Sequence, residues 1–142
     1  MEHISPYITA VIVAWVVAQG AKYILIAIKE KSFNSVRHLY LSGNMPSAHT
    51  ATVAALLTMI ALRDHLDSGL FGLATLFAAI VMYDAVMVRR SSGEQGEAIQ
   101  QLIKEQGSRV KLPRAAKGHR PVEVVVGALI GVAVGLVVFL AT

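Results

Sequence analysis

A histidine and a glutamate four residues apart give this 142-residue sequence a candidate for nucleophilic chemistry. They are His119 and Glu123, in the string Gly-His-Arg-Pro-Val-Glu at 118–123. On one helix they would share a face, so the carboxylate would accept the proton of one imidazole nitrogen and leave the other nitrogen free to attack. The alternative is a His–Glu pair that only stabilises a helix end at a membrane surface.

A second histidine, His49, lies in the string Asn-Met-Pro-Ser-Ala-His at 44–49, where a loop enters an apolar segment. Pro46 suits the first helical position, because its missing N–H would have no partner there. We therefore expect the free N–H groups of Ser47, Ala48 and His49 to form an anion site beside a titratable side chain. The alternative is a helix cap with an incidental histidine.

Charged side chains complete the candidate set. Asp84 stands inside an apolar segment, where it either serves a site or closes a salt bridge with a neighbouring helix. Arg89 and Arg90 follow that segment, and their planar guanidinium groups match phosphate oxygens, unless they are ordinary flanking charges. Lys22 shares a helical stripe with Gln19 and is either a phosphate ligand or a lysine that reaches out to water.

The composition indicates what kind of protein positions these groups. Apolar residues make up 55% of the chain and charged residues 15%, whereas soluble domains average about 45–50% and 25%. The length suffices for a single domain, residues 1–142. The absence of cysteine excludes disulfides, iron–sulfur clusters, thiol nucleophiles and cysteine-bound zinc. Because the basic residues lie between apolar runs, the net charge of +4 favours a membrane over nucleic acid as partner.

The apolar residues form four segments, at 8–28, 47–62, 70–88 and 122–140. The first is long enough to cross a hydrocarbon core of ~30 Å, and the second is shorter. The predicted fold class is therefore all-α, a polytopic membrane bundle of about four transmembrane helices. A further stretch at 94–106 has apolar residues at helical spacing among charges, which indicates an amphipathic helix at the membrane interface or a solvated connecting helix.

Basic residues are concentrated in two of the three connections between these segments. The first connection holds three, the third holds eight, and the second has one Arg and two Asp. The positive-inside rule then places the first and third connections in the cytoplasm and both termini outside, unless some of these residues bind phosphate and so weaken the rule. We expect the site at the cytoplasmic face of a multi-pass integral membrane protein.

Two histidines at helix starts, several cations and a carboxylate thus fall at one membrane face, and these groups suit phosphoryl transfer through a phosphohistidine. At these residues the sequence resembles the divergent PAP2 family, which is related to type 2 phosphatidic acid phosphatases and vanadium haloperoxidases. The matching strings are Met-Pro-Ser-Ala-His at 45–49, Tyr-Asp-Ala with Val-Arg-Arg in 83–90, Gly93 with Gln95, and Gly-His-x-Pro-x-Glu-Val at 118–124. The resemblance implies a metal-free phosphatase-type site without a cofactor, in which His49 is the general acid and His119 the nucleophile.

The sequence departs from the wider superfamily, which carries Lys-x6-Arg-Pro before the Pro-Ser motif and Ser-Arg-x5-His-x3-Asp after it. Lys22 and Arg37 are the nearest substitutes for the first string, and a glutamate replaces the aspartate of the second. Arg89 or Arg90 is favoured over Arg114 as the remaining phosphate ligand, because Val-Arg-Arg belongs to the divergent group's own pattern.

The resulting hypothesis is a metal-independent membrane phosphatase. Its substrate would be a lipid phosphomonoester or pyrophosphate, such as phosphatidic acid, phosphatidylglycerophosphate or a polyprenyl (pyro)phosphate. His119, His49 and Glu123 would be catalytic, and the substrate-binding set would be Lys22, Arg37, Ser47, Ala48, Asp84, Arg89 and Arg90.

Two other functions are left open by the sequence. One is a noncatalytic protein that binds or transports a lipid phosphate, which turnover would distinguish. The other is a structural membrane subunit that packs through Gly127, Gly131 and Gly135, because a glycine every four residues lets helices approach closely in lipid. A homo-oligomer is also left open.

Overall fold

The computed structural model describes residues 4–30, 45–113, 115 and 118–142. In these ranges the protein is helical and contains no strand, which confirms the predicted fold class. The elements are α1 (Pro6–Glu30), α2 (Ala48–Arg63), α3 (Gly69–Tyr83), a π-helical turn (Asp84–Val88), α4 (Arg89–Glu105) and α5 (Pro121–Ala141).

Among the described residues, three helical stretches are long and apolar enough to cross a membrane: Pro6–Lys29, the continuous Gly69–Glu105, and Pro121–Ala141. The fourth apolar helix, α2, has 16 residues. At ~1.5 Å per residue it measures about 24 Å, less than a hydrocarbon core of ~30 Å. The chain is an integral membrane protein whose described residues hold three such stretches and one shorter apolar helix, and the second apolar segment is the short one, as predicted.

Helix α2 lies at the centre of the bundle, because it packs against α1, α3 and α5. Its contact with α5 is close, since the glycines of α5 face α2. A Cβ atom added to Gly127 would lie 2.5 Å from the Ser47 carbonyl oxygen, and one added to Gly135 would lie 2.8 Å from Thr58 Cβ. The packing role predicted from the four-residue glycine spacing is therefore confirmed.

Helix α1 approaches α2 through alanines four residues apart. Ala10, Ala14 and Ala18 have no exposed surface. The first two pack with the second half of α2 and the end of α5, and Ala18 packs with Ala48 in the first turn of α2. This stripe brings Lys22, one step further along α1, to the end of the bundle where α2 begins.

Polar side chains tie the opposite end of the bundle together. The Tyr7 hydroxyl donates a 2.6 Å hydrogen bond to Asp64 Oδ2, which joins the start of α1 to the end of α2. Arg63 Nη2 donates to Thr142 Oγ1 at 2.8 Å, which joins the end of α2 to the end of α5. The second half of α1 and the starts of α2 and α5 therefore meet at the other end, where the candidate site residues lie.

The predicted amphipathic helix is longer than expected and is not a separate element. It begins at Arg89 instead of Glu94 and continues α3 through the π-helical turn. No proline separates the two helices, so the helical backbone carries on without a break. The chain that follows α4 folds back along it, and Gln100 Nε2 donates to the Pro113 carbonyl oxygen at 2.5 Å.

Replacing Gly131 with alanine is expected to lower the free energy of unfolding by about 1–3 kcal/mol. The added Cβ would lie against the Ala51 carbonyl oxygen and 2.7 Å from Ala54 Cβ, and a backbone oxygen cannot rotate away. Gly72→Ala is the matched control, because nothing lies within 4 Å of a Cβ at that position. Thermal unfolding in one detergent compares the two variants, and equal stability would contradict the close packing of α2 and α5.

Candidate functional site

His119 and Glu123 form the pair that their spacing predicts, although only Glu123 lies in a helix. His119 precedes Arg120, the N-cap residue of α5. His119 Nδ1 lies 2.8 Å from Glu123 Oε2, which also accepts the Arg120 N–H at 3.2 Å. His119 is only 6% exposed, and its Nε2 has no hydrogen-bond partner among the residues that the structure describes. The carboxylate thus orients the ring through one nitrogen and leaves the other for chemistry.

The loop before α5 docks on the π-helical turn. The His119 N–H donates a 3.0 Å hydrogen bond to the carbonyl oxygen of Ala85, which lies in that turn. Turns of this kind change the backbone ladder locally and are frequent at functional sites. Gly118 permits the approach, because a Cβ there would lie 2.6 Å from the Arg90 backbone nitrogen. The sequence analysis predicted neither contact. The glycine directly before His119 was the one feature that could have indicated a close approach of the backbone there.

The start of α2 differs from the prediction. Ser47, not Pro46, caps the helix, and its Oγ accepts hydrogen bonds from the Thr50 N–H at 3.4 Å and the Thr50 hydroxyl at 2.9 Å. A serine oxygen satisfies donors at a helix start, which proline has no side-chain group to do. The Ser47 N–H donates to the Glu123 carbonyl oxygen at 3.1 Å. The predictions of Pro46 at the first helical position and of a free Ser47 N–H are therefore wrong.

The first turn of α2 still presents two backbone donors. The N–H groups of Ala48 and His49 have no hydrogen-bond partner within the described ranges, as is usual at a helix start. The His49 side chain is exposed at this end of the bundle. The ionisable groups that act on it electrostatically are Arg89, His119, Lys22 and Asp84. The structure thus brings side chains of α1, α2, the π-helical turn, the start of α4 and the loop before α5 to one end of the bundle.

The two arginines after the π-helical turn have different partners. Arg89 Nε donates to Asp84 Oδ2 at 2.8 Å, and both side chains are a little over a third exposed. Arg90 Nε donates to Glu94 Oε1 at 3.1 Å on the open surface of α4. Because the charge of Arg89 also acts on His49, Arg89 is the arginine on the site side. Asp84 pairs within its own continuous helix, so among the described residues the alternative of a salt bridge to a neighbouring helix does not hold.

Lys22 is buried at the end of the alanine stripe of α1. It is 6% exposed, and the charge of the Glu123 carboxylate acts on its ammonium group. In the described part of the chain no acceptor lies within hydrogen-bond distance of this group. The side chain as a whole is buried, but its ammonium group is not one of the fully buried polar atoms that lack a partner, so a lysine that reaches water stays an alternative. A bound anion would give this ammonium group an acceptor.

Three residues named in the sequence hypothesis lie outside the described residues: Asn44, Arg37 and Arg114. Arg37 therefore stays a predicted phosphate ligand. The preference for Arg89 or Arg90 over Arg114 stays a prediction as well.

His119 also borders a surface cleft with a volume of about 420 Å³. The cleft lies between α4 and the start of α5, and its lining includes two arginines and two glutamates. The lining residues are Arg90, Gly93, Glu94, Glu97, Gly118, His119, Arg120 and Pro121.

Comparison with known proteins places the chain in a family. No solved structure matches it. It is similar to the uncharacterized membrane protein YuiD of Bacillus subtilis (strain 168), with 40% identity over 111 residues, and the match covers 68% of this chain and 70% of YuiD. The model of the Divergent PAP2 family matches residues 4–134, from α1 into α5. This match covers both histidines and all the candidate ligands, and the chain belongs to the divergent PAP2 family.

Proposed function

We propose that this protein is a metal-independent lipid phosphatase that works through a phosphohistidine on His119. The observation that carries the proposal is a buried imidazole whose Nδ1 lies 2.8 Å from Glu123 Oε2 and whose Nε2 has no hydrogen-bond partner among the described residues. It lies at the end of the bundle where the charges of Lys22 and Arg89 converge. An oriented imidazole is a nucleophile for phosphorus, and the cations offset the charge that would otherwise repel it from the phosphate.

The proposed reaction has two steps. In the first, His119 Nε2 forms a bond to phosphorus while the bond from phosphorus to the lipid oxygen breaks. Glu123 stabilises the resulting imidazolium, and His49 gives a proton to the departing alkoxide. In the second, water attacks phosphorus, His49 takes a proton from it, and the phosphorus–nitrogen bond breaks. The products are a lipid alcohol and inorganic phosphate, and both histidines return to their starting state.

The phosphate charge is met by groups on three helices. Lys22, Arg89 and the N–H groups of Ala48 and His49 supply positive charge and donors, and phosphoryl transfer depends mostly on such positioning. Arg37 is proposed as a further ligand. Within the described ranges no three His, Asp or Glu side chains converge to hold a metal ion. In the proposed reaction, lysine and arginine carry the role that metal ions have in other phosphatases.

The proposed substrate is a lipid with a phosphomonoester or pyrophosphate group. The site lies at one end of helices that cross a membrane, which is where the phosphate of an embedded lipid is found. Phosphatidic acid, phosphatidylglycerophosphate and polyprenyl (pyro)phosphate all fit this description. We place the site at the cytoplasmic face, because Arg89 lies at the start of the basic third connection.

A cysteine introduced at Ser92 tests this sidedness. Ser92 is exposed on α4, and the chain has no cysteine of its own. Ser92→Cys is expected to react with a membrane-impermeant thiol reagent only after the cells are opened. Labelling in intact cells would place the site at the outer face.

Arg89→Lys is expected to lower kcat/KM for a lipid phosphate by about 10–100-fold, because a point charge cannot replace a planar group that binds phosphate oxygens in pairs. The Arg89 guanidinium donates to Asp84 through Nε and has further N–H groups for the phosphate. The single ammonium group of a lysine cannot bind both the Asp84 carboxylate and the phosphate in this geometry. Arg90→Lys is the matched control and should change kcat/KM by less than about 3-fold, because an exposed pair contributes little. Equal losses in steady-state phosphate release would contradict the assignment of Arg89.

Phosphate release by the purified protein in detergent tests the proposed function. A panel of lipid phosphates is supplied with and without a chelator, and release should be saturable, insensitive to the chelator and inhibited by orthovanadate. Saturable binding of a lipid phosphate without release would favour the noncatalytic binder or transporter. Strict dependence on added Mg²⁺ together with resistance to vanadate would contradict a metal-independent site.

A further inference from the structure

Gln19 carries a buried acceptor that has no donor in the part of the chain that the structure describes. Its Oε1 atom is shielded from solvent, and no described residue donates a hydrogen bond to it. Buried polar atoms are almost always paired, and an unpaired one lowers stability, so its retention calls for a reason. The reaction described above assigns no role to Gln19.

The position of Gln19 relates it to the site. Gln19 and Lys22 lie three residues apart on α1, so their side chains diverge by about 60° around the axis and by about 4.5 Å along it. The adjacent Ala18 packs with Ala48 and Ala51 in the first two turns of α2. Along the axis of the bundle, Gln19 thus lies near the level at which α2 begins, and it is about one turn further from this end of the bundle than Lys22.

We propose that Gln19 Oε1 accepts a hydrogen bond from the hydroxyl group that stands opposite His119 on phosphorus. This group is the lipid hydroxyl that leaves in the first step and the water that enters in the second, and the role rests on the proposed phosphohistidine reaction. In-line displacement places both oxygens on the side of phosphorus away from the attacking nitrogen. Gln19 is therefore a positioning residue for the lipid oxygen that leaves in the first step and for the water oxygen that enters in the second.

Two physical requirements fit this role. A lipid chain runs into the membrane, so its leaving oxygen lies deeper in the bundle than the phosphate, which is the direction in which Gln19 stands from Lys22. The attacking water has two protons, and His49 takes one of them. A neutral amide oxygen can hold the other proton by a hydrogen bond without removing it.

Orthovanadate provides a test that does not require turnover, because its five-coordinate form carries a hydroxyl opposite the histidine nitrogen. In Gln19→Met, which removes the acceptor and nearly keeps the size of the side chain, vanadate should bind about 3–10-fold more weakly. Hydrolysis of the phosphoenzyme should slow by a similar factor, and the melting temperature should be unchanged or higher. The matched control is Gln101→Met, on the exposed face of α4, which should leave all three quantities unchanged.

The outcomes separate this role from the proposed function. If vanadate affinity and phosphoenzyme hydrolysis are unchanged in Gln19→Met, the inference is overturned and the phosphatase stands. If the melting temperature and the vanadate affinity of Gln19→Met both fall, Gln19 has a structural role, and the inference is also overturned. If Gln19→Met does not fold, Gln19→Asn, which withdraws the oxygen by one methylene, should show the same loss of affinity. A wild-type protein that neither binds vanadate nor releases phosphate would reject the phosphatase and this role together.

Discussion

His119→Asn is expected to abolish phosphate release, with a loss of ~10⁴-fold or more in kcat. Without the imidazole no bond from the enzyme to phosphorus forms, and the remaining cations only bind the phosphate. The fold should persist, because Glu123 Oε2 keeps its hydrogen bond from the Arg120 N–H and the backbone N–H at 119 still donates to Ala85. Phosphate release and the melting temperature, measured on the same preparation, test both statements.

The control for this variant is another histidine changed in the same way. His65 is exposed in the loop after α2, at the opposite end of the bundle, and its positive φ of 65° is tolerated by asparagine. His65→Asn should keep full activity. With a radiolabelled lipid phosphate, the wild-type protein and His65→Asn should form an acid-labile phosphoprotein, and His119→Asn should form none. Full activity of purified His119→Asn would remove the phosphohistidine from the reaction.

His49→Asn is expected to lower turnover by ~10²–10⁴-fold while leaving His119 able to accept a phosphoryl group. The two jobs of His49 can be separated by the choice of substrate. A lipid alkoxide needs a proton as it leaves, whereas p-nitrophenolate is stable without one. With p-nitrophenyl phosphate the first step should therefore survive in His49→Asn, and the second step should remain slow because water is not activated.

The expected signature is a burst of about one nitrophenolate per site followed by slow release, as for other enzymes with a covalent intermediate. Phosphoenzyme should accumulate over the same time. If His49→Asn hydrolyses a lipid phosphate at the wild-type rate, or shows neither a burst nor a phosphoenzyme with the activated substrate, His49 is not the acid and base of this reaction.

The distance in sequence between partners decided what could be predicted from the sequence. The helices followed from apolar runs, and the face of α5 that contacts α2 followed from glycine spacing, because each pattern is local. The pairing of His119 with Glu123 was also local. The hydrogen bond of the Ser47 N–H was not, since its acceptor is the carbonyl of Glu123 on another helix. No pattern near Ser47 reveals that its N–H is already used.

The ion pair between Asp84 and Arg89 escaped prediction for a different reason. In an α-helix, residues five apart diverge by about 140°, so their spacing does not indicate contact. A π-helical turn bonds each residue to the fifth one along and brings the two toward the same face. Here the Arg89 N–H donates to the Asp84 carbonyl oxygen, and the side chains meet at 2.8 Å. Because nothing in the sequence marks this turn, the pairing of Asp84 with Arg89 could be seen only in the structure.

The hydrogen bond from the Ser47 N–H to the Glu123 carbonyl, together with the glycine stripe, makes α2 and α5 one mechanical unit. That unit carries His49 and orients His119, whereas Lys22 comes from α1 and Arg89 follows α3. Under the proposed function, the histidines that react and the cations that bind the phosphate are thus supplied by different helices. Relatives could change α1 and α3 to admit another headgroup without altering the spacing of the two histidines. Substitutions at the interface between α2 and α5 would instead lower the rate of phosphoryl transfer before they weakened the binding of the phosphate.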